Sequence, residues 1–125
     1  MAKHHSPGFL AIVNDAKTRV QEISSADLKQ KIESNGNFHL IDVREADEFA
    51  TGHLPRSKHL CKGILERDIE GTVPDPDAEV ILYCGGGFRS ALAADNMQKM
   101  GYKRVLSLAD GWRGWLEAGY PTTKG

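Results

Sequence analysis

The sequence predicts an α/β fold in which a central parallel sheet of about five strands carries helices on both faces. Short apolar stretches alternate with amphipathic helical patterns along the chain, the order expected for parallel strands joined by helices. Residues 80–83 are apolar or aromatic without interruption, which is typical of a strand buried on both faces. Functional residues of such sheets lie at the carboxyl ends of strands, where we expect Asp42 and Cys84.

Helix-start signals and apolar stretches define the elements of the first half. Ser6 and Pro7 are typical of a helix N-terminus. Ser24 and Asp27 resemble a capping box, which starts a second helix. The predicted elements are, in order, a helix at 7–19, a strand at 20–23, a helix at about 24–34, a strand at 38–43, a short helix at 44–50, an edge strand at 57–61 and a helix at 62–70. The apolar face of the first helix is made of Phe9, Ile12, Val13 and Ala16.

In the second half, Cys84 ends the buried strand, and three glycines separate it from the next helix. This helix has apolar residues at helical spacing from Ser90 onward and ends at Gly101. A last strand is predicted at 104–108. A final helix is expected to pack against the body of the domain, rather than to form a binding surface, through Trp112, Trp115 and Leu116.

Length and composition limit the classes of function. At 125 residues the chain fits one domain, which we place at 20–125 after an accessory helix within 1–19. A formal net charge of -1 gives no general attraction to nucleic acid or to an acidic membrane. The two cysteines, Cys61 and Cys84, form no metal-binding motif, so neither a metal nor a cofactor is expected. The N-terminal residues lack the pattern of a secretory signal, and we expect a cytoplasmic protein with reduced thiols.

Cys84 is the strongest candidate for chemistry. A thiol between a buried strand and a helix lies where the helix dipole and unpaired backbone N–H groups favour negative charge. Arg89 adds a positive charge, and both effects favour the thiolate, which is the nucleophilic form of cysteine. A lone cysteine is more often a small apolar residue, but the glycine-rich loop that follows this one favours catalysis.

The segment Cys84-Gly85-Gly86-Gly87-Phe88-Arg89-Ser90 resembles the active-site loop of the rhodanese family, Cys-x-x-Gly-x-Arg followed by Ser or Thr. Two further segments resemble family signatures. The first contains Leu40-Ile41-Asp42-Val43-Arg44-Glu45, Glu48-Phe49 and Gly52-His53-Leu54-Pro55, and the second runs from Gly101-Tyr102 through Gly111-Trp112 and Trp115 to Gly119-Tyr120-Pro121. The resemblance extends from about residue 20 to residue 121. It departs from many members at Arg56-Ser57 and Asp110-Gly111, away from the candidate chemistry.

This resemblance implies a rhodanese-like fold with the strand order one, five, four, two, three. It implies a sulfurtransferase in which Cys84 takes the outer sulfur of thiosulfate or a similar donor as a persulfide and passes it to cyanide, a thiol or another protein. Arg89 then binds the anionic donor or holds the loop. The implied substrate-binding residues are Gly85, Gly86, Gly87, Phe88, Arg89 and Ser90. We expect a monomer or a dimer.

Asp42 and Arg44 are candidates for supporting roles. Asp42 is expected to brace the active loop through its backbone N–H groups, and Arg44 is expected to pair with Glu48 and hold the following helix. The alternative for each is an ordinary helix cap or a surface ion pair.

Cys61 and the histidines are expected to be structural. Cys61 is predicted to end the third strand, two strands and roughly 10 Å from Cys84, which is too far for a disulfide. His53 and His59 are not needed as bases, because the loop itself forms the thiolate. We expect all five histidines to be solvated or capping residues.

Two other classes of function use the same fold. Phosphatases and arsenate reductases of this type also hold a cysteine thiolate in an anion-binding loop, but the phosphatases have one residue more between the cysteine and the arginine. Here the four residues from Gly85 to Phe88 make a smaller loop, which favours sulfur. Non-enzymatic rhodanese modules form the second class. They usually lack the cysteine, and this chain keeps it.

Overall fold

The computed structural model describes residues 5–124; Met1 to His4, which begin the predicted accessory segment, and Gly125 lie outside the described residues. The strands are β1 (Gln21–Ile23), β2 (His39–Asp42), β3 (Ser57–His59), β4 (Glu79–Tyr83) and β5 (Arg104–Leu108). The helices are α1 (Pro7–Lys17), α2 (Ser25–Glu33), α3 (Ala46–Thr51), α4 (Lys62–Thr72), α5 (Phe88–Lys99) and α6 (Gly111–Glu117).

The strands form one parallel sheet in the order β1-β5-β4-β2-β3, which confirms the predicted fold class and strand order. β4 is the central strand, and its residues 80–83 are buried. Asp42 at the end of β2 pairs in register with Tyr83 at the end of β4. The carboxyl end of β2 therefore lies beside Cys84, as predicted.

The core is divided between the two faces of the sheet because successive strand residues point in opposite directions. Val80 and Leu82 pack with apolar residues of α4 and α5 on one face. Ile81 and Tyr83 pack on the other face with apolar residues of α2 and with Trp115 of α6. Helices thus cover both faces, which explains why β4 reads as a continuous apolar stretch rather than an alternating one.

Helix α1 packs against α5, and its outward face differs from the prediction. Val13 and Ala16 are buried, but Ile12 is 56% exposed, so the predicted apolar face is only partly used. The Arg19 guanidinium forms an ion pair of 2.8 Å with Asp95 of α5, which fixes the end of α1 to the domain. At the other end of the chain, Leu116 is 48% exposed and does not pack into the body as predicted.

Among the elements whose bounds differ from the prediction, three differ for a clear local reason. The helix expected at 44–50 begins at Ala46, because Glu45 and Glu48 form a capping box there. The strand expected at 57–61 is shorter, since Cys61 is already the N-cap of α4. The helix expected from Ser90 starts at Phe88, directly after the glycines.

None of the helices within residues 5–124 is both long and apolar enough to cross a membrane.

Candidate active site

Cys84 follows the last residue of β4, and a short turn carries the chain from it into α5. The backbone N–H groups of Gly87 and Ser90 donate to its Sγ atom, at 3.2 and 3.4 Å. Both donors belong to the N-terminal end of α5, where backbone N–H groups lack helical partners. Two donors and the positive end of the helix dipole therefore converge on one sulfur atom.

Ser90 holds the sulfur from a second side. The Cys84 thiol donates to Ser90 Oγ at 3.5 Å, and Ser90 Oγ lies 2.8 Å from Ser107 Oγ on β5. All three residues are buried. Ser107 was not recognised in the sequence; a single serine among the apolar residues 105–108 of the interior strand β5 is the signal that could have drawn attention to it.

The loop after Cys84 is docked on the start of α6. The N–H groups of Trp112 and Arg113 donate to the carbonyl oxygens of Cys84 and Gly85, at 2.8 and 3.0 Å. Because N–H and C=O point in opposite directions in a trans peptide group, the N–H groups of Gly85 and Gly86 point away from α6. Neither of these two N–H groups has a hydrogen-bond partner within the described residues.

Two glycines make this docking possible. A Cβ atom on Gly87, whose φ is +91°, would lie 2.1 Å from the carbonyl oxygen of Ala109. A Cβ atom on Gly111, whose φ is +60°, would lie 2.6 Å from the carbonyl oxygen of Cys84. A side chain at Gly87 would force the loop away from the turn between β5 and α6, and one at Gly111 would force α6 away from the loop, so the position of the sulfur depends on both glycines.

Arg89 pairs with Glu48, which corrects the expectation that Arg44 would do so. The Arg89 guanidinium donates to both carboxylate oxygens of Glu48, at 3.0 and 3.3 Å. This hydrogen bonding raises the pKa of Arg89 and lowers that of Glu48. Because the pKa of Glu48 is lower in the folded protein than its ordinary value, the pair stabilises the fold at pH values above the ordinary pKa of glutamate. This contribution is lost as the pH falls through the folded pKa. The pair ties α5 to α3, so Arg89 holds the loop.

Asp42 and Arg44 bind each other, so neither has its predicted partner. The Asp42 carboxylate accepts from the backbone N–H and the guanidinium of Arg44, at 2.7 to 3.0 Å. Asp42 makes no hydrogen bond to the 85–90 loop within the described residues. Arg44 also donates to the carbonyl of Gly52 at 2.7 Å, and its guanidinium lies 4.6 Å from the ring centroid of Trp112. The pair therefore supports the loop indirectly, through Trp112.

The remaining thiol and the imidazoles near β3 do not reach the candidate site. His53 bonds to the Leu54 carbonyl and to Ser57, and His59 bonds to the carbonyl of Arg44. Cys61 is a free thiol that is half-buried at the start of α4. Within the part of the chain that the structure describes, no cluster of His, Cys, Asp or Glu could hold a metal ion.

A cavity of about 530 Å³ opens at Cys84. The loop residues Gly85, Gly86, Phe88 and Arg89 line it, together with Glu48. Three further lining residues were not recognised in the sequence: His5, Phe9 and Arg113. His5 and Phe9 come from the N-terminal segment and Arg113 comes from α6, all far from Cys84 in the chain, so no local pattern places them at the site.

Comparison with known proteins assigns the family. A family model described as the rhodanese-like domain matches residues 24–118. The chain belongs to the rhodanese family. A curated protein named sulfurtransferase from Allochromatium vinosum is 32% identical over 102 residues, which cover 82% of this chain and 94% of that protein. A longer Bacillus subtilis relative is 33% identical over 96 residues, and the match covers 77% of this chain but only 51% of that relative.

Two solved structures are similar to this protein over almost the whole chain. The polysulfide-sulfur transferase homodimer of Wolinella succinogenes is 30% identical with a TM-score of 0.79, covering 94% of this chain and 88% of that chain. A protein of unknown function from Rhodopseudomonas palustris, described as a possible tyrosine phosphatase, is also 30% identical, with a TM-score of 0.84 and coverage of 98% and 99%.

The rhodanese loop should not tolerate a side chain at Gly87. We expect Gly87→Ala to lower the free energy of unfolding by roughly 1–3 kcal/mol more than Gly101→Ala, because its Cβ atom would overlap the Ala109 carbonyl. Gly101 also has a positive φ, of +108°, but its Cβ atom would meet nothing within 4 Å. Chemical denaturation of both variants measures the difference. Equal losses would show that the close approach to Ala109 does not constrain the loop.

Proposed function

We propose that this protein is a sulfurtransferase that moves a sulfane sulfur from thiosulfate or a similar donor to a thiophilic acceptor through a persulfide on Cys84. The observation that carries the proposal is the convergence of the Gly87 and Ser90 N–H groups on Sγ, in a loop that belongs to the rhodanese family. The sulfurtransferase relatives support it. The loop directs the Gly87 and Ser90 N–H groups at Sγ of the thiolate, and the Gly85 and Gly86 N–H groups are available to the outer sulfur of the persulfide, so the loop stabilises both forms of the enzyme.

In the first half of the reaction, the Cys84 thiolate attacks the outer sulfur of thiosulfate. A new S–S bond forms, the S–S bond of thiosulfate breaks, and its electron pair leaves with sulfite. The outer sulfur of the persulfide then lies near the loop, where the free N–H groups of Gly85 and Gly86 are available to its negative charge. In the second half, an acceptor such as cyanide or a thiol attacks that outer sulfur, and Cys84 leaves as the thiolate. This is covalent catalysis in two steps.

The two cysteines differ in solvent exposure, and this difference helps to interpret their reactivity. Cys84 is 1% exposed, whereas Cys61 is half-buried and more accessible to a reagent. Selective reaction at Cys84 would therefore reflect the chemistry of its loop and cavity rather than simple exposure.

Thiosulfate should raise the intact mass of the protein by one sulfur atom, and cyanide should remove that atom. We expect this change in the wild type and in Cys61→Ser, because Cys61 has no anion-binding loop. Mass spectrometry of Cys84→Ser, treated in the same way, provides the decisive comparison. Gain of a sulfur atom by Cys84→Ser would overturn the assignment of the persulfide.

A phosphatase is the second candidate function, because the similar Rhodopseudomonas palustris structure is described as a possible tyrosine phosphatase. Tetrahedral phosphate needs a ring of N–H donors wider than the one that holds a single sulfur atom. In this chain four residues separate Cys84 from Arg89, and two of the donors already lie within 3.4 Å of Sγ. The small size of the loop therefore supports sulfur transfer over phosphate release.

Lengthening the loop tests this ranking. Inserting one glycine between Gly86 and Gly87 should depress thiosulfate:cyanide sulfur transfer by a factor on the order of 100, because displacing a donor by about 1 Å removes much of its stabilisation. The matched control inserts one glycine between Pro74 and Asp75, in an exposed loop remote from the site.

Steady-state transfer rates, thermal midpoints and phosphate release from an aryl phosphate are measured for both insertions. If the Gly86–Gly87 insertion transferred sulfur as fast as the control, loop size could not be what selects sulfur.

A further inference from the structure

The cavity at Cys84 is larger than a small inorganic donor requires. Its volume of about 530 Å³ lies within the range of about 300–1,000 Å³ that is typical of pockets for drug-sized organic ligands. Thiosulfate has no apolar surface to bury. The volume therefore points to a donor in which an organic group is attached to the sulfane sulfur.

Arg113 places a positive charge in this cavity. The other arginine that lines it, Arg89, already pairs with both carboxylate oxygens of Glu48. Within residues 5–124, the Arg113 guanidinium has neither an ion-pair nor a hydrogen-bond partner. Its backbone N–H is bonded to Gly85, and its guanidinium lies over Gly86, 3.5 Å from the position that a Cβ atom would take there. Its charge is thus held beside the loop.

Aromatic side chains supply an apolar wall for the same cavity. Phe9 of α1 and Phe88 of α5 both line it, with ring centroids 6.1 Å apart. The His5 ring packs against both, with its centroid 5.3 Å from that of Phe9 and 4.7 Å from that of Phe88. Helix α1 is fixed in place, because Val13 is fully buried and Arg19 pairs with Asp95. The wall is therefore part of the folded domain, although α1 lies outside residues 24–118, which match the rhodanese family model.

We propose that Arg113 and Phe9 are specificity-determining residues that select an organic sulfane-sulfur donor, with an anionic group bound by Arg113 and an apolar part packed against Phe9 and Phe88. This inference rests on the proposed sulfurtransferase function. The loop holds the reacting sulfur, and the outer part of the cavity holds the leaving group.

An aryl thiosulfonate, in which a sulfonyl group carries both the ring and the sulfane sulfur, is a suitable probe. The Cys84 thiolate attacks its sulfane sulfur, the S–S bond breaks, and the electron pair leaves with the aryl sulfinate. No oxidant or further reductant is needed. A ring substituent then changes the charge of the leaving group without changing the sulfur that is transferred.

The experiment compares kcat/KM for three donors, with cyanide as acceptor: thiosulfate, para-methylbenzenethiosulfonate and para-carboxybenzenethiosulfonate. In the wild type, we expect the carboxylate donor to be preferred over the methyl donor, and the methyl donor over thiosulfate. Arg113→Ala should reduce the preference for the carboxylate by roughly tenfold, as expected for loss of a charged hydrogen bond, mainly through KM. Phe9→Ala should reduce the ratio of the methyl donor to thiosulfate by roughly fivefold, because apolar contact area is lost.

Two matched variants control for general effects. Arg67→Ala removes an exposed arginine that pairs with Asp68 on α4, and Ile12→Ala removes the exposed apolar residue of α1; neither residue lines the cavity. Both should keep the wild-type ratios, and Arg113→Lys should keep part of the carboxylate preference. Unchanged ratios in Arg113→Ala and Phe9→Ala would overturn the specificity assignment while leaving the sulfurtransferase function intact. Absence of a persulfide with all three donors in the wild type would overturn both.

Discussion

The two hydrogen bonds from the start of α6 to the carbonyl oxygens of Cys84 and Gly85 are the contacts on which the site depends. They fix the orientation of the two peptide groups after Cys84 and Gly85, so that the N–H groups of Gly85 and Gly86 point away from α6. The chain can then enter α5 with the Gly87 and Ser90 N–H groups directed at Sγ. Because no Cβ atom fits at Gly87 or Gly111, the geometry is set by backbone atoms rather than by side chains that could change rotamer.

A charged framework around this contact keeps α6 and α5 in place. Arg44 joins the end of β2 to Trp112, since it binds Asp42 and lies against the indole ring. Both charged groups are buried, so removing either one would leave an unpaired charge in the interior, which is costly. Arg89 is less buried and binds Glu48. The Asp42–Arg44 pair therefore supports the loop through α6, and the Glu48–Arg89 pair supports it through α5.

The predictable parts of the fold were those that depend on local sequence. The uninterrupted apolar stretch of β4 identified the central strand, and the glycines after Cys84 identified the turn that holds the sulfur. The partners of Asp42, Arg44 and Glu48 were predicted wrongly, because sequence proximity favoured Arg44 with Glu48 whereas the fold brings Arg89, far along the chain, to that carboxylate. Arg113 and Phe9 were missed since each reaches the cavity only after α6 and α1 have packed on the domain.

If backbone N–H groups of the Cys84 loop hold the charged sulfur, amide proton NMR should detect the hydrogen bonds that the persulfide adds. Spectra are recorded before and after thiosulfate treatment of isotope-labelled protein. We expect the amide protons of Gly85 and Gly86 to move downfield most, because they gain the outer sulfur of the persulfide as an acceptor. Gly101 and Gly119, which lie away from the cavity, should not move. Persulfide formation with no larger shift at Gly85 and Gly86 than at these two glycines would show that the loop N–H groups do not hold the outer sulfur.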